Sequence, residues 1–270
     1  MSDPMENIPI SAPQAKRKRL GMIVLIPLIA SLIVLGVFAM QWREGLKIQR
    51  VVVDGARTLT ANEIFALAGS PSKAGMYTVD LFDIQRRIGR HPFIKEVCVT
   101  RQYPKMLRID IQEREPVASF NAGQLLYLDA EGVVLPGVAG PRKFDLPLIS
   151  GIAGLERAEV GKKLENAEVF EALSVVRTAQ ELDTVMYHLI SEVNMGNGND
   201  MVLYSSDVGV PIILGRGDVG KKLVTLETFW KNFVGTADVE KLKYIDLRYD
   251  EQVVVRWNQQ SAARSRKISL

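Results

Sequence analysis

Two side chains of this sequence could form a nucleophilic pair: Cys98, the single cysteine, and His91, one of two histidines. A cysteine nucleophile needs an electropositive setting and a base within hydrogen-bond reach. The stretch that contains both residues reads HPFIKEVCVTRQYPKMLRIDIQEREP, and in it Val97 and Val99 alternate with Cys98. This alternation predicts that Cys98 points away from the buried face of a strand, while His91 lies at the end of a helix. The stretch is therefore predicted to be structural rather than catalytic.

Metal and phosphate sites have little support either. A zinc site needs clustered Cys, His or carboxylate ligands, and His91 and His188 are far apart in the chain. The GRGD stretch at residues 215–218 lies between a predicted strand and a predicted helix, but it has neither GxGxxG nor P-loop spacing. A strand-to-helix turn with Asp218 as N-cap is the preferred interpretation. We predict a protein that is not an enzyme and that has no cofactor or metal.

The side chains that remain are of the types that form protein interfaces. A turn does not require Arg216, so we expect its guanidinium to be free to pair with a partner carboxylate. Arg248, Tyr249 and Trp257 are types enriched at interface hot spots. The proline-free run at residues 253–255 reads as a last strand, and a strand at the edge of a sheet offers unpaired backbone groups to an extended segment. The alternative is that the C-terminal tail covers this strand.

The elements that would position these residues begin with a strand at residues 48–53. Thr60 and Glu63 have the spacing of a capping box for a short helix, and Asp80 is a plausible N-cap for a second helix. Two period-two runs then flank the turn at residues 103–105, which predicts a hairpin. The order of this part is strand, helix, helix, strand, strand.

The second half is predicted to be rich in strands and to contain two amphipathic helices. The helices are predicted at residues 165–182 and 218–234, and in the latter Leu226, Phe229, Trp230 and Phe233 form an apolar stripe assigned to the core. Strands are predicted at residues 124–129, 133–135, 186–193, 201–204, 211–214, 244–249 and 253–257.

The first forty residues predict a membrane anchor. Residues 20–40 contain no charged side chain, and a helix of that length spans roughly 31 Å, the thickness of a bilayer core. The alternative is a cleaved signal peptide, whose apolar region would be shorter. The KRKR run at residues 16–19 favours a cytoplasmic N-terminus. Because the net charge of +3 is small and spread along the chain, we do not expect a nucleic-acid partner.

A strand-helix-helix-strand-strand unit directly after an anchor resembles a POTRA domain, and the whole chain to Trp257 resembles the FtsQ/DivIB family of cell-division proteins. The stretches that carry the resemblance are IQRVVVDGARTLTANEI, VDLFDIQRRIGRHPFIKEVCVTRQYPKMLRIDIQEREP, LYLDAEGVVL, LPLISG, IILGRGD and YIDLRYDEQVVVRW. The resulting prediction is an α+β fold with a single N-terminal transmembrane helix, a POTRA domain (β-α-α-β-β) and a β-rich domain with two helices. The predicted parts are a cytoplasmic tail (1–19), the transmembrane helix (20–40), the POTRA domain (46–116), the β domain (117–257) and a flexible tail (258–270).

The resemblance implies a scaffold of the divisome at the division septum. Such a protein lies in the inner membrane with its bulk in the periplasm, holds FtsB and FtsL-like partners through its last strand, and regulates septal peptidoglycan synthesis. Other divisome components would meet the POTRA domain, residues 20–40 would contact the bilayer, and no small-molecule substrate is expected. The implied partner-binding residues are Arg216, Arg248, Tyr249, Glu251, Val253, Val254, Val255 and Trp257.

Three points stay open at this stage. The family often has a small Ser-Gly step where this chain has Glu251 and Gln252, so the contacts of these two residues are in doubt. One alternative function is a POTRA-bearing, membrane-anchored factor that handles outer-membrane polypeptides, although no long series of alternating strands typical of a membrane barrel is present. A membrane-anchored hydrolase is the other alternative, and it lacks a catalytic constellation.

Overall fold

The computed structural model describes residues 15–44, 46–72, 74–137, 144–198, 200–234, 239–250 and 252–258. Three predicted features therefore lie wholly or mostly outside the described residues. They are the cytoplasmic tail up to residue 14, the C-terminal tail from residue 259, and Glu251.

The chain begins with a long helix, α1 (Ala15–Glu44). Between residues 25 and 40 its large apolar side chains are exposed. A search of the described residues for a helix with the length and apolar character needed to cross a membrane found none. Soon after α1, Leu46 and Ile48 are buried in the core of the first domain.

The first domain, residues 46–115, is a three-stranded sheet with two helices. Its elements are β1 (Arg50–Asp54), α2 (Ala61–Leu67), α3 (Leu81–Gly89), β2 (Ile94–Gln102) and β3 (Met106–Glu113). The sheet order is β1-β3-β2, with β1 parallel and β2 antiparallel to β3. The predicted order of elements and the hairpin are confirmed.

Local sequence signals account for both helices of this domain. The Thr60 hydroxyl accepts from the Glu63 N–H, and the Glu63 carboxylate accepts from the Thr60 N–H, so the predicted capping box is present. Asp80 caps α3 by accepting from the N–H groups of Phe82 and Asp83. Both helices turn apolar residues into the core, which contains Ile64, Ile84 and Ile88.

The second domain is built on one nine-stranded sheet. Its strands are β4 (Pro116–Asn121), β5 (Leu125–Asp129), β6 (Val134–Leu135), β7 (Leu148–Ser150), β8 (Ile190–Asn197), β9 (Asp200–Ser205), β10 (Pro211–Ile213), β11 (Leu242–Asp246) and β12 (Val254–Trp257). The order across the sheet is β12-β11-β10-β9-β8-β7-β4-β5-β6. The helices are α4 (Ala167–Leu182), α5 (Thr184–Leu189) and α6 (Val219–Phe229).

One face of this sheet, called here the inner face, packs against α4 and α6. A row of residues in register across neighbouring strands contributes to the core on this face: Ile149, Val193, Leu203, Ile212 and Ile245. The buried residues of α4, among them Val169, Ala172 and Val176, lie in the same core. The opposite face is called the outer face, and its row includes Asn194, Ile213, Asp246 and Val254.

The structure corrects several of the predicted boundaries. The strand predicted at residues 186–193 starts as helix α5, because Asp183 caps a helical turn by accepting from the Val185 N–H. The domain therefore has a third helix, and strands β4 and β7 were not predicted. The last predicted helix ends at Phe229 and continues as a π-helical turn, Trp230–Val234. Phe229 and Trp230 are buried as predicted, while the side chain of Phe233 lies outside the described set.

The two domains meet through an apolar cluster and an ionic network. Phe93 of the first domain packs in a cluster with Tyr127, Val133 and Leu135 of the second. Beside this cluster, the Arg114 guanidinium lies 2.6 Å from Asp129 and 2.8 Å from Glu131, and Lys95 lies 2.7 Å from Glu131.

Candidate functional site

The candidate site lies at the end of the nine-stranded sheet, where β12 pairs antiparallel with β11. No strand of the described residues pairs with the other side of β12. Val253 and Val255 pack half-buried against the core of the domain and anchor the strand. In contrast, Val254, Trp257 and the nearby Tyr249 are 39%, 45% and 55% exposed. The predicted edge strand is therefore present, and its apolar and aromatic side chains lie beside a backbone edge that no described strand covers.

Arg248 lies at the corner before β12, and two carboxylates of the chain hold it. Its guanidinium donates to Asp246 at 2.6 Å and to Asp200 at 2.8 Å. The hydrogen bond and the positive charge of Arg248 lower the pKa of the Asp246 carboxyl. In turn, the hydrogen bond to Asp246 and its negative charge raise the pKa of Arg248. Gly215 passes directly below, at a φ of +66°, where a Cβ atom would lie 2.9 Å from the Arg248 Cγ. Only glycine allows this close approach.

Arg216 is paired within the chain as well. Its guanidinium donates to the Glu171 carboxylate and lies 3.6 Å from the Glu168 carboxylate, both on α4. The expectation that Arg216 is free for a partner is therefore wrong. Its partner Glu171 lies 45 positions away in the chain, so the sequence around Arg216 gave no sign of this ion pair.

The loop after Arg216 also differs from its prediction. Asp218 precedes α6, as expected of an N-cap, but it adopts a left-handed conformation with φ of +48° and its side chain makes no capping hydrogen bond. The backbone N–H of Lys222 bonds to the Asp218 carbonyl instead, and the Lys222 ammonium bonds to the Arg216 carbonyl. These internal contacts fix the loop that carries Arg216.

The structure also brings forward a residue that the sequence analysis missed. Arg256 lies in the middle of β12, opposite Tyr244 of β11, and is exposed. No described carboxylate lies within ion-pair distance of it. The alternation along VVVRW would have placed Arg256 on the same face as Val254.

The residues first considered for chemistry do not form a site. Cys98 is exposed, as the alternation predicted. His91 accepts a hydrogen bond at Nδ1 from the Phe93 N–H, and burial lowers its pKa against the opposing charges of Glu63 and Glu113. Within the part of the chain that the structure describes, no group of three His, Cys, Asp or Glu side chains could hold a metal ion.

Comparison with known proteins bears on both domains. Residues 46–114 match the family described as "POTRA domain, FtsQ-type", and residues 118–248 match "Cell division protein FtsQ/DivIB, C-terminal". The second match ends just before β12, so the edge strand lies beyond it. The predicted POTRA domain and the predicted family are confirmed.

Several relatives are similar over most of their length. The cell division protein FtsQ of Geotalea daltonii is 34% identical over 78% of this chain and 75% of its own. That of Geobacter sp. (strain M21) is 32% identical over 78% and 76%, and that of Rhodothermus marinus 35% identical over 80% and 79%. Membership of a non-catalytic family fits the prediction that this protein is not an enzyme. The chain belongs to the FtsQ/DivIB family of bacterial cell-division proteins.

Proposed function

We propose that this protein is a divisome scaffold that holds an extended segment of a partner against the free edge of β12. The observation that carries the proposal is the backbone edge of β12, which no described strand pairs with and which exposed Val254, Trp257 and Tyr249 flank. The family resemblance names the partners as FtsB and FtsL-like proteins. Through them the scaffold would help to regulate septal peptidoglycan synthesis.

The edge would bind by β-augmentation, in which the partner adds a tenth strand beside β12. Main-chain hydrogen bonds then supply affinity, and side-chain positions that alternate along the strand supply selectivity. Tyr249 and Trp257 offer large aromatic surfaces of the kind that dominate interface energetics. Val253 and Val255 hold the strand on the core, so the edge is pre-organised and loses little conformational entropy on binding.

Arg216 and Arg248 have a different role in this proposal from the one expected from the sequence. Their intrachain ion pairs hold the β10–α6 loop and the β11–β12 corner beside the edge. Arg248 remains partly exposed, and a guanidinium has five N–H donors, more than its two carboxylate partners occupy. It can therefore add a bond to the partner while it supports the corner.

For the location, we propose a single-pass protein of the inner membrane with a cytoplasmic N-terminus and a periplasmic bulk at the septum. The support is the uncharged run at residues 20–40 and the exposed apolar side chains of α1 within it. Exposed apolar side chains at this density are stable in lipid, whereas in water they would mark an interaction surface. In this arrangement the POTRA domain lies next to the membrane and is available to other divisome components.

The proposal is tested by placing proline in β12 of the full chain in detergent. Successive N–H groups of a strand point to opposite edges, so Val254→Pro and Val255→Pro remove one outward and one inward donor. The variant that loses the outward donor should stay folded by circular dichroism and bind the FtsB–FtsL pair at least about tenfold more weakly. The matched control is Val254→Thr, which keeps both the N–H and the β-branch.

One outcome would move the site elsewhere. If both proline variants retain the circular dichroism spectrum and bind the pair as tightly as Val254→Thr does, the edge of β12 is not the interface. The POTRA domain would then become the leading candidate surface.

A further inference from the structure

The three arginines near the edge differ in what surrounds them. Arg216 pairs with the carboxylates of α4, and Arg248 pairs with Asp200 and Asp246. Arg256 has no described carboxylate within ion-pair distance, although it is the one of the three that lies in the edge strand itself. An exposed guanidinium without a carboxylate can pair with an incoming group without first losing an internal one.

The register of β12 fixes where Arg256 points. Val254 lies opposite Asp246 and Arg256 lies opposite Tyr244, so both belong to the outer face of the sheet. Val253, Val255 and Trp257 alternate with them and belong to the inner face. A strand added beside β12 would therefore place one of its side chains next to Arg256 and another, two residues away, next to Val254.

A second cation supports the same electrostatic picture. Lys243 is exposed on β11, next to Tyr244, and no described carboxylate lies within ion-pair distance of it either. The nearest carboxylate of β11, Asp246, is occupied by Arg248. Among the described residues, Arg256 and Lys243 therefore give this end of the edge two cations without an ion-pair partner, whereas Arg248 at the corner is paired with Asp200 and Asp246.

We propose that Arg256 determines which segment the edge accepts, by pairing with an Asp or Glu of the added strand. This inference rests on the function proposed above and gives the partner a chemical pattern. An acidic residue lies beside Arg256, an apolar residue lies two positions away beside Val254, and an apolar residue between them faces the inner side near Val255 and Trp257. Arg248 and Arg216 hold the corner and the loop through their intrachain ion pairs, and the preference at the position beside Arg256 is set by Arg256 itself.

Cross-strand charge pairs are modest in energy, so the expected effect is a preference rather than an absolute requirement. An opposite charge beside Arg256 stabilises the pair of strands, and a like charge there destabilises it. Together the two terms correspond to roughly a threefold to tenfold difference in affinity between an acidic and a basic residue. Because Arg256 is exposed, salt should reduce the difference.

The test uses the full chain in detergent and two short fluorescent peptides with the same alternating apolar and threonine frame. They differ only at the central position, which is Glu in one and Lys in the other. Binding is measured by anisotropy at low and high salt for the wild type and for Arg256→Glu. The matched control is Arg50→Glu, which makes the same charge change on β1, at the edge of the other sheet. The proline variant of β12 that stays folded is a second control, because it removes a backbone donor at the edge.

The expected result is that the wild type and Arg50→Glu prefer the Glu peptide, and Arg256→Glu prefers the Lys peptide. The preference should shrink at high salt, and the proline variant should bind neither peptide. If wild type and Arg256→Glu bind both peptides equally, or share one preference, the role of Arg256 is refuted while binding at the edge stands. If neither peptide binds the wild type, β12 does not accept extended segments, and the inference and the proposed function both fail.

Discussion

At the scale of single residues, Glu113 shows how one carboxylate fixes a loop. It ends β3, is 9% exposed, and accepts hydrogen bonds from the backbone N–H groups of Arg57, Thr58 and Leu59 at 3.0, 2.7 and 3.0 Å. These three N–H groups belong to the loop between β1 and α2, where no described strand ladder provides an acceptor for them. A charged acceptor that bonds several N–H groups contributes more than a neutral one.

Replacing this carboxylate by an amide should destabilise the first domain. Glu113→Gln keeps the volume but removes the charge and one acceptor oxygen, so we expect the free energy of unfolding to fall by about 2–3 kcal/mol. The control is Glu115→Gln, two residues away, whose carboxylate is 73% exposed and, among the described residues, pairs with the exposed Arg57 guanidinium alone. The control should change stability by less than about 0.5 kcal/mol.

Urea unfolding followed by circular dichroism measures both variants. Equal losses of stability in Glu113→Gln and Glu115→Gln would mean that the three N–H groups find other acceptors, and that Glu113 does not hold the loop.

The same scale shows what the sequence could not reveal about the site. The exposed edge could be predicted because its signals are local in the sequence. They are the proline-free run at residues 253–255 and the aromatic residues Tyr249 and Trp257 close to it. The pairing of Arg216 with Glu171 joins residues that are distant in the chain, and no local pattern reports it. Arg256 lies within the strand, so only the alternation of residues 253–257, and no turn signal, indicates its exposure.

At the scale of elements, most of the capped helices were predictable and the order of strands was not. Helices α2 and α3 were predicted because Thr60, Glu63 and Asp80 carry the caps within a few residues. Helix α5 was predicted as strand because most of its residues are apolar, aromatic or β-branched, although the Asp183 cap and the burial of Met186 and Leu189, three residues apart, follow a helical pattern. The parallel pairing of β4 with β7 joins segments that share no local signal.

The junction between β2, β3 and β5 gives a prediction about pH. The hydrogen bonds and charges of Lys95 and Arg114 lower the pKa of Glu131 from 4.5 to about 2. A lowered carboxyl pKa stabilises the folded state above pH 4.5, and this contribution is lost as the pH falls from 4.5 towards 2. Glu131→Gln should therefore lower the melting temperature at neutral pH, and its difference from wild type should narrow below pH 4.5.

Thermal unfolding across this range of pH measures the effect. Glu96→Gln is the control, because Glu96 is exposed on β2 and no described cation pairs with it. A gap between wild type and Glu131→Gln that stays constant from neutral pH to acid would show that the carboxylate charge of Glu131 does not stabilise the junction.

At the scale of the whole molecule, the proposed membrane anchor and its orientation are open to a direct test. If residues 20–40 anchor the chain with the N-terminus in the cytoplasm, alkaline phosphatase fused after Val53 should be active, because the enzyme folds in the periplasm. A fusion after Ser11 should be inactive. The mature protein should retain its N-terminus, and a soluble mature form that begins at Met40 would contradict the anchor.

The linear order of the second sheet also sets a distance. Strands β5 and β6 lie at the end that contacts the POTRA domain, and β12 lies at the other end, eight strand intervals away. At the usual spacing of neighbouring strands this separation is roughly 38 Å along the sheet. Under the membrane anchor and the partner binding proposed above, a partner anchored in the same bilayer would need a stalk long enough to carry its docking segment to the far end of the sheet. The number of strands between the POTRA junction and the edge therefore sets the stalk length that such a partner needs. Inserting or deleting a strand would change that length.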